Sequence, residues 1–524
     1  MSKQTMMLAL TALFALVAAS QASMASASTD TVAFEPAKGD QQTYRIGVRV
    51  LSEGKGAYRD WQVAQSLLRY RVSATKPTRE LHVTPRFMRV ENEDKVVFSS
   101  AQPATLADSP LPALMQAGFD VAIDADDAAS QVKASNNDAW RAAVDDNRTP
   151  LAAIVRQLLI PALAQPIPAH KGAEVEIAGF QGMPTLRLTV TEVDSDTVTA
   201  TLAQTDERND PRFTHMRGRL LIDRDSGWIR ALTLISDQHS PYGGTQHVAQ
   251  TLQAVDNPAV GGMGDGLRRL RINTLEAASP GYDLSLPTRA DEATEREALD
   301  VPQQPLAHAE TGFHVDDEDG ALVLTIAHRD KENLDLDQMT LTKLTLRDAN
   351  GEPLDQGFVL DSIGRDYGDQ DSSAVRLLPL GWDRADLSDL AEVEATFRYQ
   401  PVDGPTYVDL PLRDGPTHLD DTPAKAVAEP IDGGWLVTLT GAYTHLYLAD
   451  NTTAFKGRSA VTSNRRRHGL TPTDRMLVEG VDTHALWIQQ ITLKGDIDTF
   501  ALALYDDETP ASTHTLTFTP APQR

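Results

Sequence analysis

Carboxylates are the most abundant chemistry-bearing groups in this chain: 74 of its 524 residues are Asp or Glu. Paired carboxylates carry general acid–base chemistry without a local motif, because the fold rather than chain order brings them together. A hydrolase whose acids converge only in the fold is therefore one reading. The densest oxygen cluster is Asp366, Asp369 and Asp371, within RDYGDQDSS. Calcium takes roughly six to eight oxygens in flexible geometry, but this loop lacks the EF-hand spacing and its closing Glu, and solvated turn carboxylates explain it as well. Asp124, Asp126 and Asp127 lack the Gly that a sharp calcium turn needs.

Other groups are no more specific. Neither His308 with His314 nor His239 with His247 has a metal-ligand spacing. Arg465, Arg466, Arg467 and His468 form the one dense basic cluster, suited to phosphate or carboxylate; pairing with the chain's own surplus acids is the plainer reading. The Gly261–Gly266 run lacks the Lys and the strand–turn–helix setting of a phosphate loop. Zinc-protease, nucleophile-elbow and Walker signatures are missing. With no Cys there is no disulfide and no thiol nucleophile. The sequence assigns no catalytic residue, no metal and no cofactor.

The N-terminus is more informative. Lys3 precedes an apolar run, Met6 to Ala19, broken only by Thr11, and small residues follow, with A-x-A-type cleavage at Ala25-Ser26-Ala27 or earlier, after Ala22. That order is the pattern of a secretory signal peptide over residues 1–27 and implies a periplasmic protein. No second apolar run reaches about 18 residues, so the processed chain is expected not to span a membrane through a helix. The net charge of −26 repels phosphate backbones and argues against nucleic acid as a partner.

The elements that would position any site read as mainly β. Tyr44, Ile46, Val48 and Val50 alternate with polar or small neighbours, as do Leu68, Tyr70 and Val72. Leu186–Val190 and Val198–Leu202 flank a turn at Asp194-Ser195-Asp196, and Leu220–Ile222 meets Asp223–Gly227 before Trp228. These connections are too short for crossovers, so the pairing is antiparallel. Asp138–Val144 suggests a short helix. Thr149-Pro150 starts a second, in which Leu151, Ile154, Val155 and Leu158 form an apolar stripe that Pro161 ends. The stripe either packs as core or covers an apolar ligand.

The expected organisation is a curved antiparallel β domain with one or two helices over 28–276, then a linker over 277–312. Two β-sandwich-like domains follow, over 313–413 and 431–524, separated by a Pro- and Asp-rich linker at 414–430. Asn350-Gly351 marks a hairpin in the first of these.

Within 44–255, several runs recur in a recognisable order. They are Gly118–Asp124, Pro166-Ile167-Pro168 with Lys171-Gly172-Ala173, Leu186–Val190, and Ile222–Ile229. This plan resembles uncharacterised bacterial envelope proteins and is similar to lipoprotein carriers. The resemblance implies a half-open barrel with helices closing its mouth and carries over no catalytic residue. The two C-terminal blocks depart from the plan. Taken together, the expectation is an exported binding or scaffolding protein, with an apolar ligand at Leu151, Ile154, Val155 and Leu158 and an envelope protein as partner. A hydrolase of envelope material is the alternative. Intact mass of the mature protein is expected to lack roughly 22 to 27 N-terminal residues; a full-length mass in the soluble fraction would exclude cleavage.

Overall fold

The computed structural model describes residues 30–256 and 306–521 apart from internal segments, the longest being 146–159, 328–338, 449–460 and 463–485. The fold is mainly β. Among the described residues, fourteen strands and two helices precede residue 256. A short strand, β1 (Thr31–Val32), is followed by three long ones, β2 (Gln41–Glu53), β3 (Arg59–Ala74) and β4 (Arg79–Asn92). Then come β5 (Lys95–Ser99), helix α1 (Leu111–Ala117), β6 (Phe119–Ile123), β7 (Val132–Ala134) and helix α2 (Asn137–Asp145). The remainder are β8 (Ile167–Pro168), β9 (Glu174–Ile177), β10 (Leu186–Val193), β11 (Thr197–Gln204), β12 (Phe213–Asp223), β13 (Ile229–His239) and β14 (Thr245–Val255).

Twelve of these strands form one antiparallel sheet in the order β7-β6-β4-β3-β2-β14-β13-β12-β11-β10-β9, with β5 added to β4. The ends do not meet, so the sheet curves into a half-barrel. Bulges supply part of the curvature, since an unpaired extra residue bends its strand and increases twist. Register shifts occur at Leu67/Leu68 and Val72/Ala74 against β4, at Val190/Glu192, and at Thr214/Arg217. The alternating apolar residues face inward and build a single core containing Tyr44, Ile46, Leu68, Leu188, Leu220 and Leu252.

Two devices close one end of that core. The first is the helix pair. Leu111, Leu114 and Met115 of α1 are buried in the core, as are Ala139 and Ala143 of α2. Asn136 caps α2, its Oδ1 accepting from Asp138 N at 3.1 Å and Ala139 N at 3.0 Å. The expected helix at 138–144 is thus present as α2. The sequence reading did not anticipate α1: it has only seven residues and contains a Pro, which is tolerated only in its first turn. The expected helix at 149–160, with Leu151, Ile154, Val155 and Leu158, lies outside the described residues up to 159.

The second device is the β1–β8 ribbon, which pairs Thr31 with Pro168 and Val32 with Ile167. Arg79 ties its flanks together, donating to Phe34 O at 2.6 Å and Ala164 O at 2.7 Å. The ribbon rests on the Asp223–Gly227 turn. Asp223 Oδ1 accepts from Ser226 N at 2.9 Å, Ser226 Oγ at 2.8 Å and Asp225 N at 3.1 Å. Gly227 adopts φ +72°, and a Cβ there would overlap Ala33 O and Phe34 Cα.

A seven-stranded sheet follows, with a separate core around Phe313, Leu324, Leu341, Val375, Phe397 and Phe518. Its strand Ser512–Pro520 lies between Leu390–Tyr399, antiparallel, and Glu310–Val315, parallel. The sequence reading grouped this strand with 431–524; pairing returns it to the preceding unit. Strands between 403 and 506 form a three-stranded and a five-stranded sheet. The stretch read as a linker at 414–430 contains strands Thr417–Leu419 and Lys425–Ile431. Ala at the alternating positions and Pro430 at the end hid that strand from an apolar pattern.

Gly227→Ala is expected to destabilise by about 3 kcal/mol, from steric overlap added to left-handed strain. Gly39→Ala, at φ +98° with nothing within 4 Å, should cost about 1 kcal/mol. Chemical unfolding of the two variants checks the difference.

Candidate ligand-binding site

Strand register defines what the concave face presents. One row across the sheet reads Met88, Ser66, Ile46, Leu252, Leu232, Leu220 and Ala200. The next toward the open end reads Val90, Ala64, Val48, Gln250, Leu234, Gly218 and Leu202. Beyond it stand Asn92, Gln62, Val50, Val248 and Ser236. On the closed side, Pro85, Leu68, Tyr44 and Ala254 share a row. The two middle rows and the closed-side row carry no charged residue, whereas the outermost row continues from Asn92 to Lys95 of β5.

Exposure changes along the face. Tyr44 and Ser66 are fully buried and Gln250 is 9% exposed, whereas Val48, Val50 and Asn92 are half-buried and Gln62 is exposed. Tyr44 OH, Ser66 Oγ, Gln250 Oε1 and Asn92 Oδ1 are buried atoms with no hydrogen-bond partner among the described residues. Leaving such a group unsatisfied costs about 1–3 kcal/mol. Natural cores rarely retain several on one face without water or ligand to meet them.

Aromatic rings line the closed end. Phe34 and Trp228 meet edge-to-face with centroids 4.7 Å apart, and Tyr44 and Tyr70 do so at 5.5 Å. Trp228 also approaches Tyr44 at 6.2 Å. Burial, followed by the proximity of Tyr70 and Asp223, raises the Tyr44 phenol well above its ordinary value. Burial does the same for Tyr70. At Asp223 burial works to raise the carboxyl, but hydrogen bonds from Ser226 and Arg230 outweigh it and hold the pKa below the usual range.

The convex face carries buried ions beside the neutral, unpartnered Gln65 Oε1 and Thr233 Oγ1. Glu91, Val63, Arg49 and Ala249 share one row there, all buried. Burial brings the Arg49 guanidinium down to about 10, still charged at neutral pH. Leu67, Phe87 and Ala101 pack against Ala321, Val359, Leu378 and Leu380 of the seven-stranded unit. Trp382 Nε1 donates to Pro85 O at 2.8 Å across that seam, and Gly381 N donates to Arg86 O at 2.8 Å. Charges continue through it: Arg89 lies 2.7 Å from Glu91 and 3.4 Å from Asp361, and Arg376 reaches Asp361, Asp316 and Asp319.

Two other constellations combine imidazole and carboxylate. His82 Nδ1 lies 2.8 Å from Asp120 Oδ1, while Ser135 Oγ donates to Asp120 Oδ2 at 2.9 Å. The carboxylate stands between the other two, whereas an activated serine needs the imidazole beside it. This set pins β7 and β6 to β4. His247 pairs with Asp237 at 2.6 Å across β13 and β14. Glu91 is the one buried carboxylate among the described residues, and Arg89 neutralises it. No group of three His, Asp or Glu among the described residues is arranged to hold a metal, and no helix among them is long and apolar enough to cross a membrane.

Leu151, Ile154, Val155 and Leu158, together with Asp366, Asp369 and Asp371 and the Arg465–His468 cluster, lie outside the described residues. Ile160, Ala162 and Leu163 are buried in the half-barrel core. Tyr44, Ser66 and Gln250 were missed as site residues. Their signal was present: Ser66 and Gln250 are polar residues on the apolar side of an alternating strand.

The chain matches no family model and no curated protein. Among solved structures it is paired with Pseudomonas aeruginosa OccK5 (OpdH) at 9% identity and a TM-score of 0.11, over 91% of this chain and 98% of that one. A score that low supports no inference about fold or function.

The tyrosines make an alkaline prediction. Folded pKa values raised above the unfolded value near 10 leave stability intact below pH 10 and remove it as pH rises further. Each group should cost about 1.4 kcal/mol per pH unit there. Spectrophotometric titration should show two of the 11 tyrosines ionising only with loss of near-ultraviolet ellipticity.

Proposed function

We propose that this protein is an exported, non-enzymatic binding protein whose curved sheet holds an apolar molecule on its concave face. The observation that carries this reading is the group of buried polar atoms without partners, Tyr44 OH, Ser66 Oγ and Gln250 Oε1, set in the apolar inner part of the concave face. Ligand sites share that composition: mostly hydrophobic, with a few convergent polar groups. Half-buried Val48 and Val50 place apolar surface at the open end, where a ligand would enter. The resemblance of 44–255 to lipoprotein carriers supports the same reading, as does the signal-peptide pattern. A hydrolase of envelope material would need two buried carboxylates facing one cleft, and Glu91 stands beside Arg89 on the opposite face.

Mass spectrometry of an organic extract of the protein, purified from the compartment to which its host exports it, tests the proposal directly. A stoichiometric apolar species supports it, and a clean extract from freshly purified protein counts against it. Tyr44→Phe separates ligand contact from packing. Deleting an unpartnered hydroxyl should raise the stability of the ligand-free protein by about 1 kcal/mol. It should also weaken uptake of a hydroxyl-bearing ligand by about 3- to 10-fold. A variant that is less stable and binds equally well would make Tyr44 a core residue only.

A further inference from the structure

We propose that the convex face of β2, β3 and β4, beside the seam, binds a phosphate-class oxyanion through Arg69, Arg71 and Arg86 with the hydroxyls of Thr43 and Thr84. The concave face plays no part in this site. Three consecutive rows define the place. The first holds Phe87, Leu67, Arg45 and Gln253, the second Thr84, Arg69, Thr43 and Val255, and the third His82, Arg71 and Gln41. Leu68, Tyr70 and Val72 belong to the half-barrel core and Leu67 to the seam, so Arg69 and Arg71 stand on the convex side. Arg86 joins them from the bulge opposite Leu67 and Leu68. It is the unpaired residue between Pro85 and Phe87, and its Nη2 lies beside Gly357 of the neighbouring unit. Adjacent rows are roughly 7 Å apart and strands about 5 Å apart, so side chains as long as arginine reach a common point.

Between β4 and β14 these rows hold no acid, in a chain with 74 Asp and Glu against 48 Lys and Arg. Three acids border the patch. Asp120 continues the third row onto β6 and is engaged by His82 and Ser135. Glu80 stands one row further out, beside Ala74, and Asp355 faces Arg86 from the neighbouring unit. Among the described residues, no hydrogen bond or ion pair engages the side chains of Arg69, Arg71, Arg86, Thr43 or Thr84. By contrast, Arg45 donates to Gln253 Oε1, and Arg224, Arg230 and Arg376 each pair with an Asp. Arg71 is exposed, but Arg69 and Arg86 are half-buried, as are both threonines. Burial and then the nearby Arg69 lower the Arg86 guanidinium, and Asp355 offsets this incompletely. Solvation accounts for Arg71 alone; two partly desolvated like charges held together call for an anion. The donors set its chemistry. One carboxylate satisfies one guanidinium fork, whereas three forks and two hydroxyls match a phosphate group, with its several strong acceptor oxygens and charge of about −1.5 to −2. The net charge of −26 is spread over the whole chain, and salt screens charges beyond about 8 Å.

Calorimetric titration of the full processed protein with inorganic phosphate, against acetate at equal ionic strength, tests the site at about pH 7.5, where a phosphate group is mostly dianionic. Phosphate is expected to bind at least about tenfold more tightly than acetate. Arg69→Gln and Arg71→Gln should each weaken phosphate by about three- to tenfold. Arg69→Gln should leave the ligand-free melting temperature unchanged or higher, because it removes a like-charge contact. Arg71→Gln, at an exposed position, keeps the site testable if Arg69→Gln folds poorly. Arg219→Gln, on the same convex face at β12, should leave phosphate binding unchanged. Cosedimentation with phosphatidylcholine vesicles carrying phosphatidic acid separates the sources. Phosphate binding together with retention on these vesicles assigns the anion to a lipid headgroup, and phosphate binding without retention assigns it to a free ion. A wild type that does not bind phosphate overturns the proposal. So does phosphate binding that Arg71→Gln leaves intact or that Arg219→Gln weakens equally.

Discussion

The pairing of β2 with β14 is the constraint on which the half-barrel depends. Thr43 to Glu53 run antiparallel to Thr245 to Val255 in unbroken register, joining strands about 200 residues apart. Closing a loop of that length costs roughly 5 kcal/mol of chain entropy, offset only when the whole ladder and the apolar row beneath it form together. Before this ladder forms, β2–β7 and β9–β14 are two separate meanders, each with one apolar face in water. Once it forms, Ile46 and Leu252 stand side by side, and the concave face becomes continuous from Met88 to Ala200. The buried polar atoms belong to this union, since Ser66 comes from one meander and Gln250 from the other. The site is a property of the pairing rather than of either half.

The strands themselves were legible because period-2 alternation reports a half-buried face. Tyr44, Ile46 and Val48, the hairpin at 194–196 and the turn at 223–227 all took their expected places, and the mainly β class followed. Pairing across long separations was not legible, because alternation says which side a residue faces and nothing about which strand lies beside it. The same limit hid the return of Ser512–Pro520 to the seven-stranded sheet. Short or Ala-rich elements were silent for a different reason. Seven residues with a Pro in the first turn, as in α1, show too little period to register, and Lys425–Ile431 offers Ala where Val or Ile would signal a strand. Site residues fared worst. Ser66 and Gln250 look like interruptions of a pattern, and only a three-dimensional face shows that the interruptions share one surface.

Two-sided burial accounts for the other irregularity in the sequence. At Leu67-Leu68 and Phe87-Met88 the alternation fails, with consecutive apolar residues where one should be polar. Both pairs sit at the bulge between β3 and β4, and the extra members, Leu67 and Phe87, pack against Val359 and Leu378 of the next unit. The half-barrel therefore cannot be treated as an isolated module. Its convex side is a seam closed by apolar contact, by Trp382, and by the ladder from Glu91 through Arg89 and Asp361 to Arg376. The buried ions of the sheet are thus matched on its convex side, at the seam.

The position of Ser512–Pro520 inside the seven-stranded sheet has a temporal consequence. Without it, the sheet order falls into a two-stranded piece, Met339–Asp348 with Leu390–Tyr399, and a four-stranded piece built on Glu310–Val315. A chain emerging from its N-terminal end must hold both fragments, each with one side of Phe518's pocket open, while more than 100 further residues follow. The middle unit then completes only after the unit beyond it has been made, and its two fragments wait for their central strand in the interval.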